Sequence, residues 1–422
     1  MGALFLTRDD AGPDALAARL DAARAQLVRA GSPAPTELKL PGWRLLHSHY
    51  VNGGPASLLR RGEDVVAVAG TLAVDREMGE AALARLLDPV EPGRPFTAWD
   101  RIGGHFAALV WKGGTGLVLT DFFGAFQLFH DAERHTFSTS LLALLETLPR
   151  VGWDVQGLYE YAFNVFPIGD DTVFREVKRL GPDRQLVLDA DGVKALSVAK
   201  PLPEHLVHMP LAERVERTAA VLAERAAPFV AAFGQEMDCP LSGGFDSRLV
   251  LGLLRRAGVT PHVYVYGPPH WSDVKVAQAI GAAEGFPVEH VDKWAAAVEP
   301  DAFPAIVERN FHETDGLATD GGFFDNGGNG EARRRRQRGG RLTVSGGCGE
   351  VFRNFFYLAD RPLPAGAVVD AFYSTYTAGD ATARFDPRAY RAALKAKVAA
   401  ALGAAGPEEW LERHVIDQAY PR

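Results

Sequence analysis

The chain has 422 residues, of which 47% are hydrophobic and 23% charged, a composition that can fill the cores of two or three domains and argues against long disorder. Its formal net charge of −8 argues against a protein that coats nucleic acid, because such a surface needs a positive field. No run approaches the roughly 20 apolar residues that a membrane-spanning helix needs. We therefore expect neither a nucleic-acid nor a membrane partner.

The N-terminus and the cysteines predict a compartment. The first residues turn acidic after one short apolar run, whereas a signal peptide has a basic start and a longer apolar stretch. The two cysteines, Cys239 and Cys348, cannot build a disulfide framework or a zinc site of the Cys-x-x-Cys kind. A cytoplasmic protein is the expectation.

In chain order, the first 195 or so residues read mainly as strands. A short apolar strand follows Met1, and apolar residues at helical spacing predict a helix over 13–30. Short segments rich in Val, Phe, Leu and Thr then alternate with Gly, Asp and Pro turns, which is typical of a sheet. Further helices are predicted over 141–148 and 155–163.

The pattern changes at Lys200–Pro203, where closely spaced prolines favour an extended linker. A helix is predicted over Leu211–Phe233, and strands and helices alternate after it, as in a parallel sheet with crossover helices. We therefore predict one domain over 1–198 and a second over 204–422. The Gly-, Asn- and Arg-rich stretch 315–340 is predicted to be a long mobile loop.

The strongest local signal is the glycine loop, residues 241–247, with the sequence Leu-Ser-Gly-Gly-Phe-Asp-Ser. It follows an apolar strand and opens a helix. Gly243 and Gly244 allow a close backbone approach to a ligand, and N–H groups at a helix start attract anions. Asp246 would repel a bare phosphate, so the loop predicts a phosphate chain bridged by Mg²⁺.

Three other loops are excluded by their patterns. A Walker A loop needs a lysine after its glycines, a nucleophile elbow needs Gly-x-Ser-x-Gly, and a dinucleotide fold needs Gly-x-Gly-x-x-Gly. None of these patterns occurs at residues 241–247. A plain glycine turn capped by an aspartate is the structural alternative.

The glycine loop resembles the SGGxDS pyrophosphatase loop of the asparagine synthetase family. The resemblance implies that ATP places its pyrophosphate on this loop while a substrate carboxylate is adenylated. The resemblance also implies ATP contacts by the backbone at the end of the following strand, which matches the family's adenine pocket. Asp273 resembles the acidic start of the family's next helix. The implied contacts in these two regions are Leu241, Ser242, Gly243, Gly244, Asp246, Ser247, Val265, Tyr266 and Gly267.

A second loop resembles the family's SGxGxDE(V/L)F loop, which closes over the phosphates. Ser345, Gly346 and Gly347 are its implied nucleotide contacts. The family's metal-binding aspartate has no counterpart beside Glu350, so Glu350 is the implied second Mg²⁺ ligand after Asp246. The plain alternative is a strand-to-helix turn, and Cys348 is interpreted as a bystander because no base is identifiable beside it.

The first domain resembles the class II glutamine amidotransferase domain of the same family. The matching segments are Gly104–Trp111, Thr120–Gly124 and Phe137–Leu141, in the family's order. The implied fold class is α/β and α+β: an N-terminal nucleophile (Ntn) hydrolase-like sheet sandwich, followed by a parallel-sheet α/β ATP-pyrophosphatase (adenine nucleotide alpha hydrolase-like) domain.

The family's glutaminase nucleophile is missing. That enzyme class uses an N-terminal cysteine exposed by removal of Met1, and residue 2 is Gly2. We therefore expect no glutamine hydrolysis and a closer resemblance to β-lactam synthetases and lasso-peptide cyclases, in which the substrate supplies the amine. The first domain is then structural or substrate-binding.

The resemblance implies an ATP- and Mg²⁺-dependent amide-forming ligase that adenylates a small acid or peptide and passes the acyl group to an amine; it leaves room for a homodimer. The alternative is a non-catalytic nucleotide-binding scaffold, since the region that carries the family's catalytic lysine is short here. Lys395 and Lys397 read as solvated rather than catalytic. A thiolation or nucleobase-modifying reaction is poorly supported.

Two charged groups in and near 315–340 read as solvated loop residues. One is basic, and its alternative role is to hold an acidic peptide or a polyphosphate; the other is acidic, and its alternative role is to orient an amine. Their members are Arg333, Arg334, Arg335, Arg336 and Arg338, and Glu313, Asp315, Asp320 and Asp325.

Overall fold

The computed structural model describes residues 2–50, 54–198, 200, 209–292, 295, 298–317, 324, 330, 332, 334–336, 340–347, 349 and 357–416. Glu350, Cys348, Arg333, Arg338, Asp320 and Asp325 lie outside these residues, so the predictions for them stay predictions. No helix among the described residues is long and apolar enough to cross a bilayer.

The N-terminal region contains two antiparallel sheets of six strands each. The first sheet has the order β10-β8-β9-β1-β3-β2 and the second β12-β11-β7-β6-β5-β4. Their strands are β1 (Ala3–Arg8), β2 (Thr36–Leu40), β3 (Trp43–Ser48), β4 (Leu58–Arg61), β5 (Asp64–Val74), β6 (Ile102–Lys112), β7 (Thr115–Thr120), β8 (Phe129–Asp131), β9 (Thr136–Ser138), β10 (Val177–Arg179), β11 (Arg184–Leu188) and β12 (Val193–Ser197).

The two sheets pack face to face, and helices cover their outer faces. One core, which includes Trp43 and Trp111, lies between the sheets. Helix α1 (Pro13–Arg29) covers the first sheet, and α2 (Glu80–Leu87) covers the second. Because each strand alternates apolar residues between two buried faces, the strands are almost continuously apolar. The expected sheet sandwich is confirmed, and α2 is an element that the sequence analysis does not predict.

Two helices close this region. Helix α3 (Leu141–Leu145) is shorter than predicted, and α4 (Val155–Asn164) matches the prediction closely. Ser140 and Asp154 cap them, each accepting a backbone N–H of the first turn.

The second region contains a four-stranded parallel sheet in the order β15-β14-β13-β16. The strands are β13 (Met237–Pro240), β14 (His262–Tyr266), β15 (Val288–Val291) and β16 (Leu342–Thr343), and the helices around them are α5 (Leu211–Phe233), α6 (Phe245–Arg256), α7 (Ser272–Glu284) and α8 (Phe303–Glu313). The predicted alternation of strands and helices, and a parallel sheet, are confirmed.

The two faces of the parallel sheet differ chemically. Met237, Cys239, Val263 and Val265 point into an apolar core with α5, α6 and α7, and burial there raises the pKa of the Cys239 thiol to about 12. The opposite face presents polar side chains, of which Asp238 is fully buried. This polarity is unusual, because parallel sheets are generally apolar on both faces.

The C-terminal residues form a separate core cluster. It is built by α9 (Ala367–Phe372), α10 (Pro387–Ala401), α11 (Arg413–Ile416) and a ribbon of β17 (Leu363–Pro364) with β18 (Trp410–Leu411). Tyr159, Phe163 and Ile168 of the N-terminal region pack into it. The domain boundary near 198 stays a prediction, and this contact joins segments from both sides of it.

Candidate functional site

The glycine loop lies at the carboxyl edge of the parallel sheet. Leu241 continues β13 by donating its N–H to the carbonyl oxygen of Tyr264 at 2.9 Å, and α6 begins at Phe245. The residue before this helix, Gly244, has no side chain to cap it. The first turn of α6 therefore starts without the usual side-chain acceptor, in the place where open α/β sheets bind ligands.

Three successive N–H groups of the loop donate to side-chain oxygens. Ser242 donates to Ser247 Oγ at 3.1 Å, Gly243 to Asp273 Oδ1 at 2.9 Å, and Gly244 to Ser242 Oγ at 3.2 Å. The two serine hydroxyls are 3.0 Å apart. The Gly243 N–H thus already faces an anionic oxygen, and a phosphate placed there must displace or share the carboxylate of Asp273.

The second loop contacts the first at Asp246. A Cβ on Gly346 would lie 2.7 Å from the Asp246 carbonyl carbon and from the Ser247 nitrogen. A Cβ on Gly349 would lie 2.3 Å from the Asp246 carboxylate. Only glycine permits this approach, so the two loops meet directly across Asp246.

The two loops and the end of β14 line one cavity of about 360 Å³, within the usual range for small-molecule sites. Ten of the residues predicted from the sequence line it: Leu241, Ser242, Gly244, Asp246, Ser247, Val265, Tyr266, Ser345, Gly346 and Gly347.

Two predicted residues lie outside that lining. The N–H of Gly243 is directed at Asp273, and Gly267 packs beside the ring of Trp271, where its φ of +132° excludes a side chain. The sequence analysis missed Tyr264, which also lines the cavity. Its spacing from Tyr266 was the available signal, because residues two apart on a strand share a face.

The donor set of the cavity fits Mg²⁺. Asp246 and Asp273 are its two carboxylates, and enzymes hold Mg²⁺ with one or two carboxylates plus substrate phosphates. Within the described ranges, no group of three or more His, Cys, Asp or Glu side chains could hold a metal without such a ligand.

An arginine contacts two tyrosines that line the cavity. Arg336 stacks on Tyr264, 3.8 Å from the ring centroid, and donates to the hydroxyl of Tyr266. Its guanidinium lies 3.9 Å from Asp238 and from Glu289. Arg336 is 8% exposed, so the expectation of a solvated arginine is wrong here.

Three more side chains that were expected to be solvated have partners in the structure. Arg334 forms an ion pair with Glu313 at 3.0 Å, and both residues were expected to be solvated. Asp315 accepts hydrogen bonds from Ser140 Oγ at 2.5 Å and from the backbone of Leu141 and Leu142. Burial raises the pKa of Asp315 to about 6, although these donors oppose the shift.

Lys397 is also not the solvated side chain that the sequence analysis expects. Its ammonium group lies 2.7 and 2.9 Å from the carboxylate of Glu160, which is fully buried, and 2.8 Å from Asp171. Lys395, two residues earlier, pairs at 3.3 Å with the exposed Asp370. Lys397 therefore has a packing role between α10 and α4.

The corner around Gly2 has no room for a side chain. A Cβ on Gly2 would lie 2.6 Å from the carbonyl oxygen of Ser48. Beside it, Ser57 Oγ lies 3.1 Å from His47 Nε2 and 2.6 Å from His49 Nδ1. His47 Nε2 also contacts the Val68 carbonyl oxygen, which can only accept, so Nε2 carries the proton.

Comparisons with known proteins leave the family open. No family model and no curated protein matches the chain. Glutamine phosphoribosylpyrophosphate amidotransferase from B. subtilis, solved with ADP and GMP, aligns at 11% identity over 71% of this chain and 69% of that one, with a TM-score of 0.31. A structure described as the allosteric regulatory enzyme of purine biosynthesis aligns at 12% identity over 69% of this chain and 65% of that one, with the same TM-score. Both are enzymes, and a TM-score of 0.31 is too low to transfer a site or an activity.

Proposed function

We propose that the protein is an ATP-dependent ligase that activates a substrate carboxylate as an acyl-adenylate and joins the acyl group to an amine. The observation that carries the proposal is the glycine loop at the carboxyl edge of a parallel sheet, with the second glycine loop seated on Asp246 in the same cavity. Helix starts and glycine loops of this kind bind phosphate chains.

The cavity offers a place for each part of the nucleotide. The pyrophosphate would lie on the N–H groups of the glycine loop and the first turn of α6. The base and ribose would lie toward Val265 and Tyr266, with Tyr266 held by Arg336. Asp246 and Asp273 would hold Mg²⁺, which neutralises phosphate charge when it is bound.

In this reaction the protein positions the substrates and forms no covalent bond with them. An oxygen of the substrate carboxylate forms a bond to the α-phosphorus, and the bond from that phosphorus to the bridging oxygen breaks, releasing pyrophosphate. The amine nitrogen next forms a bond to the acyl carbon, the bond from that carbon to the oxygen of AMP breaks, AMP leaves, and the proton lost from the nitrogen passes to solvent. The loop N–H groups stabilise the charge that moves onto the pyrophosphate oxygens.

One observation favours the non-catalytic alternative. The N–H groups of Ser242, Gly243 and Gly244 all have side-chain acceptors, so the loop is stable in a closed form. A scaffold that only responds to nucleotide would bind ATP without releasing pyrophosphate.

The test is exchange of labelled pyrophosphate into ATP with a panel of small acids and peptides. We expect exchange with at least one acid, a loss of about 100-fold in Asp246→Asn, and no loss in Asp301→Asn, which alters an exposed carboxylate outside the cavity. ATP binding without exchange would replace the ligase by the scaffold. Equal exchange by Asp246→Asn and the wild-type protein would refute the assigned site.

A further inference from the structure

A second cavity lies between the segment that follows α4 and the helices α9 and α10. Its volume is about 530 Å³, and none of its lining residues lines the cavity of the glycine loop. It joins an N-terminal segment to C-terminal helices, and ligand sites favour such junctions.

The walls of this cavity are mainly apolar. Rings of Phe163, Phe372 and Tyr373 line it together with the aliphatic side chains of Val368 and Val398. Phe163 is fixed by stacking on Tyr376, with the ring centroids 4.0 Å apart. This stacking fixes the position of the Phe163 ring in the apolar wall.

One cation lines the cavity. Arg179 Nη2 donates to the carbonyl oxygen of Gly169, another lining residue, at 2.8 Å. In the part of the chain that the structure describes, no carboxylate lies within 4.0 Å of this guanidinium, and nearby Asp170 pairs with Arg184 at 3.3 Å. Burial lowers the pKa of Arg179 although the charge of nearby Asp170 opposes the shift, so the hydration that this guanidinium loses is replaced only in part. An anion beside it would recover that energy.

The rim of the cavity holds a strained residue. Val165, the residue that follows the end of α4, has a φ of +74°, which is costly for a β-branched side chain. Val165 and Phe166 line the cavity and are exposed at 44% and 41%. A ligand entering the cavity would contact both apolar side chains.

We propose that this cavity binds a small amphipathic carboxylic acid, with its carboxylate on Arg179 and its apolar body against Phe163, Phe372 and Tyr373. The site is separate from the glycine loop, and the proposal does not depend on the ligase reaction. A bidentate arginine–carboxylate contact supplies the charge recognition, and burial of the apolar body supplies most of the affinity.

The test is isothermal titration of the full chain, without nucleotide, using two acids and their neutral amides. The pairs are octanoate with octanamide and 3-phenylpropionate with 3-phenylpropanamide. We expect at least one acid to bind about tenfold more tightly than its amide, as a charge-assisted hydrogen bond requires. Equal affinities, or no binding of either acid at millimolar concentration, would overturn the proposal.

Three variants locate the site. Arg179→Gln should remove the preference for the acid, whereas Arg175→Gln, which removes an exposed charge outside the cavity lining, should keep it. Ser374→Trp adds bulk at an exposed lining position and should weaken both acid and amide while leaving the charge in place. Binding that survives both Arg179→Gln and Ser374→Trp would show that the acid binds elsewhere.

Discussion

At the scale of single residues, two glycines decide how closely the loops of the candidate site approach. Gly346 and Gly349 both face Asp246, one toward its backbone and the other toward its carboxylate. The contacts at Gly346 cannot be relieved by rotating a side chain, because the nearest atoms are main chain, whereas rotation of the Asp246 side chain can relieve the contact at Gly349. The distance between the loops therefore depends chiefly on the absence of a methyl group at Gly346.

Gly346→Ala should separate the loops. The added Cβ would lie 2.7 Å from main-chain atoms of α6, so we expect a loss of about 1–3 kcal/mol in the free energy of unfolding and weaker binding of Mg·ATP. In the same loop, Gly347→Ala would meet only Ser345 Oγ at 3.2 Å and should cost less. Urea unfolding and titration with Mg·ATP measure the two effects. Equal losses in both variants would contradict the role given to Gly346.

His47 should make stability depend on pH. Burial lowers its pKa from 6.5 to about 4, so between these values the unfolded chain binds a proton that the folded protein does not. Stability from this group is complete above pH 6.5 and is lost as the pH falls toward 4, by about 3 kcal/mol. The raised pKa of Asp315 gives the opposite slope between about pH 4 and 6, so the measurement must be a difference between variants.

The comparison is urea unfolding of wild-type protein and His47→Gln at pH 7.0 and 4.5. The variant should be less stable at pH 7.0 and should lose less on acidification, because it no longer has an imidazole to protonate. His135→Gln, at a partly exposed position, serves as the control. A parallel pH dependence in His47→Gln and wild type would show that His47 is not the titrating group.

At the scale of elements, α10 is fixed to the N-terminal region by a buried ion pair. Glu160 on α4 accepts from Lys397, from Gln156 and from the backbone of Ile168. A carboxylate with three donors is well satisfied, but it is fully buried and depends on each of them. The pair therefore fixes which face of α10 meets α4.

Lys397→Met should destabilise the protein far more than Lys395→Met. The first change leaves the buried Glu160 without its cation and should cost about 3–5 kcal/mol. The second removes a contact with the exposed Asp370 and should cost less than about 1 kcal/mol. Urea unfolding of the two variants compares them on the same helix. Similar small losses would mean that Glu160 is satisfied without Lys397.

Sequence patterns predicted many of the helices and strands, although not α2, and they predicted the glycine loop, because each of these depends on residues that are close together in the sequence. The strand–loop–helix order at 237–256 can be read from one short stretch of sequence. Lys395 and Lys397 show the limit, since both lie on one helix and only contacts with residues over 200 positions away distinguish Lys397. Arg336 likewise gives no local sign that it stacks on a strand 70 residues earlier.

At the scale of the whole molecule, Asp315 joins the two halves of the chain. It follows α8 in the second region and caps the first turn of α3 in the first region through Ser140, Leu141 and Leu142. Gly316 packs on Leu142 beside it. A carboxylate at a helix N-terminus also interacts favourably with the helix dipole. The contact fixes the orientation of the segment that leads toward residues 318–340.

Asp315→Ala should loosen this contact. Loss of a helix cap costs about 1–2 kcal/mol in the free energy of unfolding. Here the hydrogen bonds that are lost join the second region to the first. We expect faster limited proteolysis of the full chain and a lower melting temperature, whereas Asp301→Ala should change neither. Unchanged proteolysis in Asp315→Ala would show that other contacts alone hold the regions together.

The carboxylate of Asp273 gives the glycine loop an internal competitor for any polyanion. A nucleotide without its divalent cation would have to displace the Asp273 carboxylate from the Gly243 N–H. Its gain in binding free energy would be only the difference between two acceptors of the same hydrogen bond. For a nucleotide that carries the cation, the Asp273 carboxylate would instead be a ligand of that cation. Under the proposed function, the loop would therefore bind a metal-loaded nucleotide in preference to a metal-free one, and Asp273 in the first turn of α7 would be the residue that sets this preference.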